Sequence, residues 1–177
     1  TSDALIVYYA PPACLRLLHP DYDALDPLLP ELLAEALPLA NLARIDVSQN
    51  SSVQWLEAAF GPEPPRDWCY YFEQADLARQ SGDWQRVAQI GEIAFNQTDR
   101  PHHAAELAPF IQAYAHLEDW ERAAQLTERA LKINTFSDPF FCLVWRDLWR
   151  STPDSPQRQV VLELLQSRLD CSKLPPP

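Results

Sequence analysis

Glycine is almost missing from this sequence: Gly61, Gly82 and Gly91 are the only three in 177 residues. A phosphate-cradling loop or a dinucleotide fingerprint needs clustered glycines, so nucleotide sites of those kinds are excluded, and many-turned β-sandwiches are disfavoured. Methionine is absent altogether, including at position 1. The chain is therefore expected to be processed, to be a piece of something longer, or to have lost its initiator before Thr1, and no signal peptide remains to be read. Lysine occurs twice against twelve arginines, and 14 cations face 25 acids for a formal net charge of -11. With no cationic surplus to displace counterions, nucleic acid and an anionic membrane surface are both excluded as direct partners. No run approaches the roughly 20 apolar residues of a membrane helix. No two of the four cysteines form a C-x-x-C pair, which removes zinc-ribbon and thioredoxin-type readings.

What is present is ordinary for a folded domain: 47% apolar and 22% charged residues, in a chain long enough to bury a sizeable core. Proline divides it. Residues 1–65 hold nine of the 17 prolines, residues 66–100 none, and the change falls at Gly61-Pro62-Glu63-Pro64-Pro65. Before that point the pattern is mixed. Ala4 to Ala10 reads as a buried strand stopped by Pro11-Pro12, Cys14 to His19 as a second, and Leu42 to Val47 as a third. Leu28 to Leu39 reads as a helix, and Ser51 or Ser52 caps a short one through Phe60. The expectation is a small α/β subdomain over 1–65 that packs on one end of the helices C-terminal to it.

Residues 66–169 read as helices in pairs, with a Pro-rich tail over 170–177. Asp67 caps a helix to about Ser81, Gly82 ends it, and Asp83 caps the next, from Trp84 to about Phe95. A third spans about His103 to Leu117, where Pro109 either kinks it or marks its start. A fourth runs from Asp119 to Ile133. Ser137 or Asp138 opens a fifth with Pro139 at the favoured first position, and Ser155-Pro156 opens a sixth in the same way.

Two of these pairs repeat at an offset of 36 residues. Gly82-Asp83-Trp84 aligns with Glu118-Asp119-Trp120, and Ala94 with Ala130. This resembles the tetratricopeptide repeat, helix–turn–helix units of about 34 residues, over residues 68–134. The resemblance implies a mostly α fold, a stack of about three helical hairpins, that recognises a protein or peptide partner on its concave face. The third pair, 137–169, lacks the turn motif and reads as a cap.

A second resemblance rests on Trp68-Cys69-Tyr70-Tyr71-Phe72-Glu73, the Gly-Asp-Trp turn and Tyr8-Tyr9-Ala10-Pro11-Pro12-Ala13-Cys14-Leu15-Arg16. These look like the soluble C-terminal region of multi-spanning membrane proteins of Chloroflexus-type bacteria. That implies the extracytoplasmic face of a bacterial membrane, with the membrane part of its own chain as a partner. The alternatives are an accessory domain of a membrane glycosyltransferase using lipid-linked sugars, and a free-standing cytoplasmic peptide-binding repeat protein.

The chemistry-bearing residues are few. The cysteines, Cys14, Cys69, Cys142 and Cys171, read either as buried thiols or as holding one disulfide, with Cys14 and Cys69 the preferred pair; the second resemblance favours the disulfide. On a helix, His103 would share a face with Glu106, and so would His102, but the local sequence does not supply the third or fourth ligand that zinc needs. Asp21, Asp23 and Asp26 lack the calcium-loop spacing and read as turn and cap residues. Arg16, Arg44 and Arg66 form either an anion clamp or scattered surface charges. No nucleophile elbow or metalloprotease helix occurs, so no catalytic residue, metal or cofactor is assigned. The aromatics remain. Phe141, Trp145 and Trp149 fall four apart, either as core or as a docking stripe. Trp68, Tyr71, Tyr114, Trp145 and Trp149 are the candidate binding residues.

Overall fold

The computed structural model describes residues 4–20, 23–26, 29–45, 61–62 and 65–173. The expected helix from Ser51 to Phe60, the end of the expected third strand, Asp21 and the terminal prolines lie outside them. The fold is mostly α, with a small two-stranded antiparallel sheet. The strands β1 (Val7–Tyr8) and β2 (Arg16–Leu17) pair Val7 with Leu17 and Tyr8 with Arg16, joined across a cis Pro11–Pro12 peptide. The expected buried strand is corrected here. Leu5, Val7 and Tyr9 are exposed while Ile6, Tyr8 and Ala10 are half-covered, so the run lies on the surface with one face inward, in keeping with the two-residue period of a strand. Helix α1 (Glu31–Ala36) continues as a 3-10 turn through Leu39. The expected third strand begins instead as a 3-10 turn, Leu42–Arg44, closed by Asn41 accepting from the Ala43 N–H.

The helical part matches the sequence expectation closely: α2 (Trp68–Gln80), α3 (Trp84–Ala94), α4 (Ala108–His116), α5 (Trp120–Ile133), α6 (Asp138–Ser151) and α7 (Pro156–Gln166). Asp67, Asp83, Asp119 and Ser155 each accept a hydrogen bond from the backbone N–H three residues on, satisfying donors a helix start leaves open. Pro109 marks the start of α4 and does not kink it: its missing N–H falls in the first turn, after a 3-10 turn over Ala104–Leu107. Helix α2 packs on α3, α3 on α4, and α4 on α5; α2, α4 and α6 touch in succession, and α5 meets α7. Rings of Trp68, Phe95 and Phe110 pack 5.0 to 5.7 Å apart at the centre. Gly91 makes the approach of α4 possible, since a Cβ there would lie 2.9 Å from the Tyr114 hydroxyl and 3.1 Å from Phe110.

The two aligned turns have one hydrogen-bond pattern. Asp83 N–H donates to Ala78 and Gly82 N–H to Arg79; 36 residues later Asp119 donates to Tyr114 and Glu118 to Ala115. Both are helix ends closed by a residue in the left-handed region, Gly82 at φ 72° and Glu118 at φ 64°. Glu118 has a Cβ that this region penalises. Glu118→Gly should therefore raise stability by about 1 kcal/mol, and Gly82→Ala should lower it by a similar amount. Urea unfolding of both variants checks this; equal midpoints would show that the turns do not carry that strain.

Candidate functional site

The structure gathers its buried ionisable groups where the N-terminal segment meets the helices. Glu106 is fully buried, 0% exposed. Its Oε1 accepts from the Cys14 N–H at 2.9 Å, and its Oε2 from the Trp68 indole N–H at 2.8 Å and the His102 N–H at 3.1 Å. Burial raises its pKa above the ordinary value, and the N–H donors pull it back. One carboxylate thus ties the N-terminal segment, the first turn of α2 and the 104–107 turn together. Beside it the Cys14–Cys69 disulfide joins the same segment to α2, with Cα atoms 5.1 Å apart. A second disulfide, Cys142–Cys171, joins α6 to the turn after α7. The buried-thiol reading is thereby overturned: among the described residues no cysteine is free. The second bridge had no readable signal, because a helix cysteine and a tail cysteine share no spacing rule.

A second cluster surrounds Arg16, which is buried. Its guanidinium bonds Asp26 at 2.6 Å and lies 3.4 Å from Asp23 and from His103 Nδ1. His103 Nδ1 also accepts from the Ala105 N–H. Two donors on Nδ1 fix the neutral ring with its proton on Nε2, 3.4 Å from Asp26. Asp23 accepts from the His19 N–H at 2.6 Å. Burial lifts Asp23 from 3.8 to about 6, against the pull of Arg16; burial and then Arg16 lower His103 from 6.5 to about 4. Both readings of Arg16 are corrected: it is buried and not a scattered surface charge, and it is committed to its own carboxylates and not free to clamp an anion. His102, His103 and Glu106 do not converge: His102 lies 3.7 Å from Asp99, and among the described residues no three His, Cys, Asp or Glu form a metal cage.

The N-terminal segment lies across the helices and not at one end of them. Arg16, Leu17, His19 and Asp23 face α2, α4 and α6 over a cavity of about 30 Å³, room for about two waters. The turn at Asp23–Leu25 touches α6.

The candidate aromatics separate. Trp68, Tyr114 and Trp145 are buried. Trp68 serves Glu106, and Trp145 donates to the Thr127 hydroxyl at 3.0 Å. Tyr114 lies under the Arg122 guanidinium, 4.2 Å away, and donates to Glu92 at 3.4 Å; burial raises its pKa to about 12. Tyr71 is half-buried against the core. Trp149 is the exposed one at 48%, but the buried Arg158 covers a face of it at 4.7 Å while bonding carbonyls at the end of α6. The five form no common surface.

Among the described residues, two open grooves stand out. One, about 630 Å³, runs between Leu42–Ile45 and the helices, with Trp84 stacked on His116 at 4.2 Å in its wall and Asp147 and Ser151 at its edge. The other, about 780 Å³, lies between α5 and α7. Its exposed aliphatics, Val160 and Leu164, went unread in the sequence, although Val160, Val161, Leu162, Leu164 and Leu165 cover more of a helix than one buried face needs.

The two shifted groups predict opposed pH behaviour. With its folded pKa raised, Asp23 contributes stability that is full below pH about 4 and lost as pH rises through about 6; with its folded pKa lowered, His103 contributes stability that is full above pH about 6.5 and lost as pH falls through about 4. Relative to the parent, His103→Gln should lose stability as pH rises from 4 to 6, and Asp23→Asn should gain it. Denaturant unfolding across that range tests both; parallel profiles for all three proteins would exclude titration of this cluster. Glu106→Gln, which offers one acceptor oxygen to three N–H donors, should cost about 2 kcal/mol in the same unfolding measurement.

No family model, no curated protein and no solved structure matches this chain.

Proposed function

We propose that this chain is a non-enzymatic interaction or scaffold domain working in an oxidising compartment, as the extracytoplasmic part of a larger membrane protein, built as tetratricopeptide-like hairpins. The observation that carries the compartment is the pair of disulfides, which consumes every cysteine of the chain. Such bridges persist outside the reducing cytosol. The hairpin reading is supported by the repeated turn, by the Trp84–His116 stack between successive hairpins, and by Gly91, Ala94 and Ala130 at helix crossings, all buried. The scaffold reading is supported by the fate of the ionisable groups. Glu106, Arg16, Asp23, Asp26 and His103 are each engaged with one another or with backbone groups of the fold, and a catalytic acid or base must instead face a substrate.

The test is a thiol titration on protein isolated from its own cells, in denaturant, before and after reduction. The expected result is no free thiol before and four after; four free thiols at the outset would sink the oxidising compartment. The bridges close loops of 55 and 29 residues, so reduction should cost about 4 kcal/mol for each at most on chain-entropy grounds. Thermal unfolding with and without reductant reads this loss. Membrane spans in the reading frame upstream of Thr1 would support the larger membrane protein, and a start codon directly before it would oppose that part.

A further inference from the structure

The groove between α5 and α7 combines exposed aliphatic side chains with charge of one sign. Val160 is 66% and Leu164 41% exposed, one helical turn apart on α7. Val161 and Ala124 form the buried floor between them and α5. Water covers this stripe at a cost of roughly 25 cal/mol for each Å² of apolar surface.

Four carboxylates line the same groove: Glu118, Asp119, Glu121 and Glu128. Among the described residues that line it, there is no lysine or arginine. Among the described residues Glu121 bonds the neighbouring Gln125 amide, and Asp119 bonds the N–H it caps and feels the Arg122 charge. Four like charges beside an apolar stripe repel one another and repel a second copy of a chain whose net charge is -11. They favour an occupant that is apolar in the middle and cationic at its edges.

The shape narrows the occupant further. Helix α7 has 11 residues, so the groove edge runs about 16 Å, some three turns of a helix. A helix laid there meets side chains at intervals of three and four residues, which suits an amphipathic segment. The opposite face of the stack, on α2, α4 and α6, is already crossed by the chain's own N-terminal segment.

We propose that the α5–α7 groove docks an amphipathic helix of a protein partner, its aliphatic stripe on Val160 and Leu164 and its lysines or arginines against Glu118, Asp119, Glu121 and Glu128. This rests on the reading of the chain as an interaction domain and is independent of the compartment.

The probe is a labelled peptide of about 14 residues, leucine at i, i+4, i+7 and i+11 and lysine at the flanking positions, monitored by fluorescence anisotropy on the full chain with its disulfides intact. Saturable binding of one peptide per chain is expected. Val160→Glu with Leu164→Glu should weaken it roughly tenfold or more, without loss of fold since both side chains are exposed. Glu121→Lys with Glu128→Lys should weaken it similarly and flatten its salt dependence. The charge-matched pair Glu31→Lys with Glu35→Lys, on exposed positions of α1, should change it less than twofold or so. Absence of saturable binding, equal loss in both lysine pairs, or equal binding of a peptide with glutamate for lysine would overturn the proposal. So would sedimentation showing that the chain self-associates through Val160 and Leu164. A thiol titration on the same sample keeps the two readings apart: free cysteines with peptide binding intact would remove the oxidising compartment and leave the groove.

Discussion

A carboxylate with no access to water needs donors, and Glu106 takes them from three separate pieces of chain. That requirement organises much of the molecule. The backbone of Cys14, the indole of Trp68 and the backbone of His102 are each fixed relative to one oxygen pair, and none can shift without leaving a buried charge short of a partner. The Cys14–Cys69 bridge ties two of the same pieces covalently. Charge and covalent bond are thus redundant at this point, and the N-terminal segment is held where its own small sheet could not hold it. Two-residue strands are too short to be stable alone.

The Arg16 cluster extends the same logic toward α6. An arginine can be buried between two aspartates because their charges more than offset its own, and a neutral His103 bonds the same guanidinium without adding another cation. Together the two clusters make the face of α2, α4 and α6 an internal interface. What the stack leaves to solvent is the groove beside Leu42–Ile45 and its other side, where α5 meets α7 and the side chains are aliphatic and acidic.

The helices were legible because their ends are written locally. Asp67, Asp83, Asp119 and Ser155 cap, Pro109, Pro139 and Pro156 start, and Gly82 stops. The second turn is less plain, since Glu118 adopts the conformation that Gly82 adopts freely; the 36-residue offset to Asp119-Trp120 revealed it where residue type alone would not. The N-terminal part was read less well. Leu42 to Val47 has strand composition but begins as a turn, because Asn41 caps it and Ala4 bridges to Ala40 instead. The candidate site was read least well. Aromatic residues attract attention, yet Trp68, Tyr114 and Trp145 are large enough to fill the core and polar enough to bond within it. Glu106 stood in view inside Ala104-Ala105-Glu106-Leu107-Ala108, an acid among apolar residues, but its three donors come from positions that only the folded chain brings together. Cys14–Cys69 was readable as a preferred pair, and Cys142–Cys171 was not.

The crossing of the N-terminal segment over α2, α4 and α6 has a bearing on how the chain is made. Synthesis delivers Arg16, His19 and Asp23 before the helices they pack on, and the surface that receives them is complete only once Phe140 and Val144 have emerged. Between those two points the charges lack the full set of partner helices to pack on, and the helices grow behind them as a stack with one flank bare. The strap is made before its seat, and it is fastened only when α6 arrives.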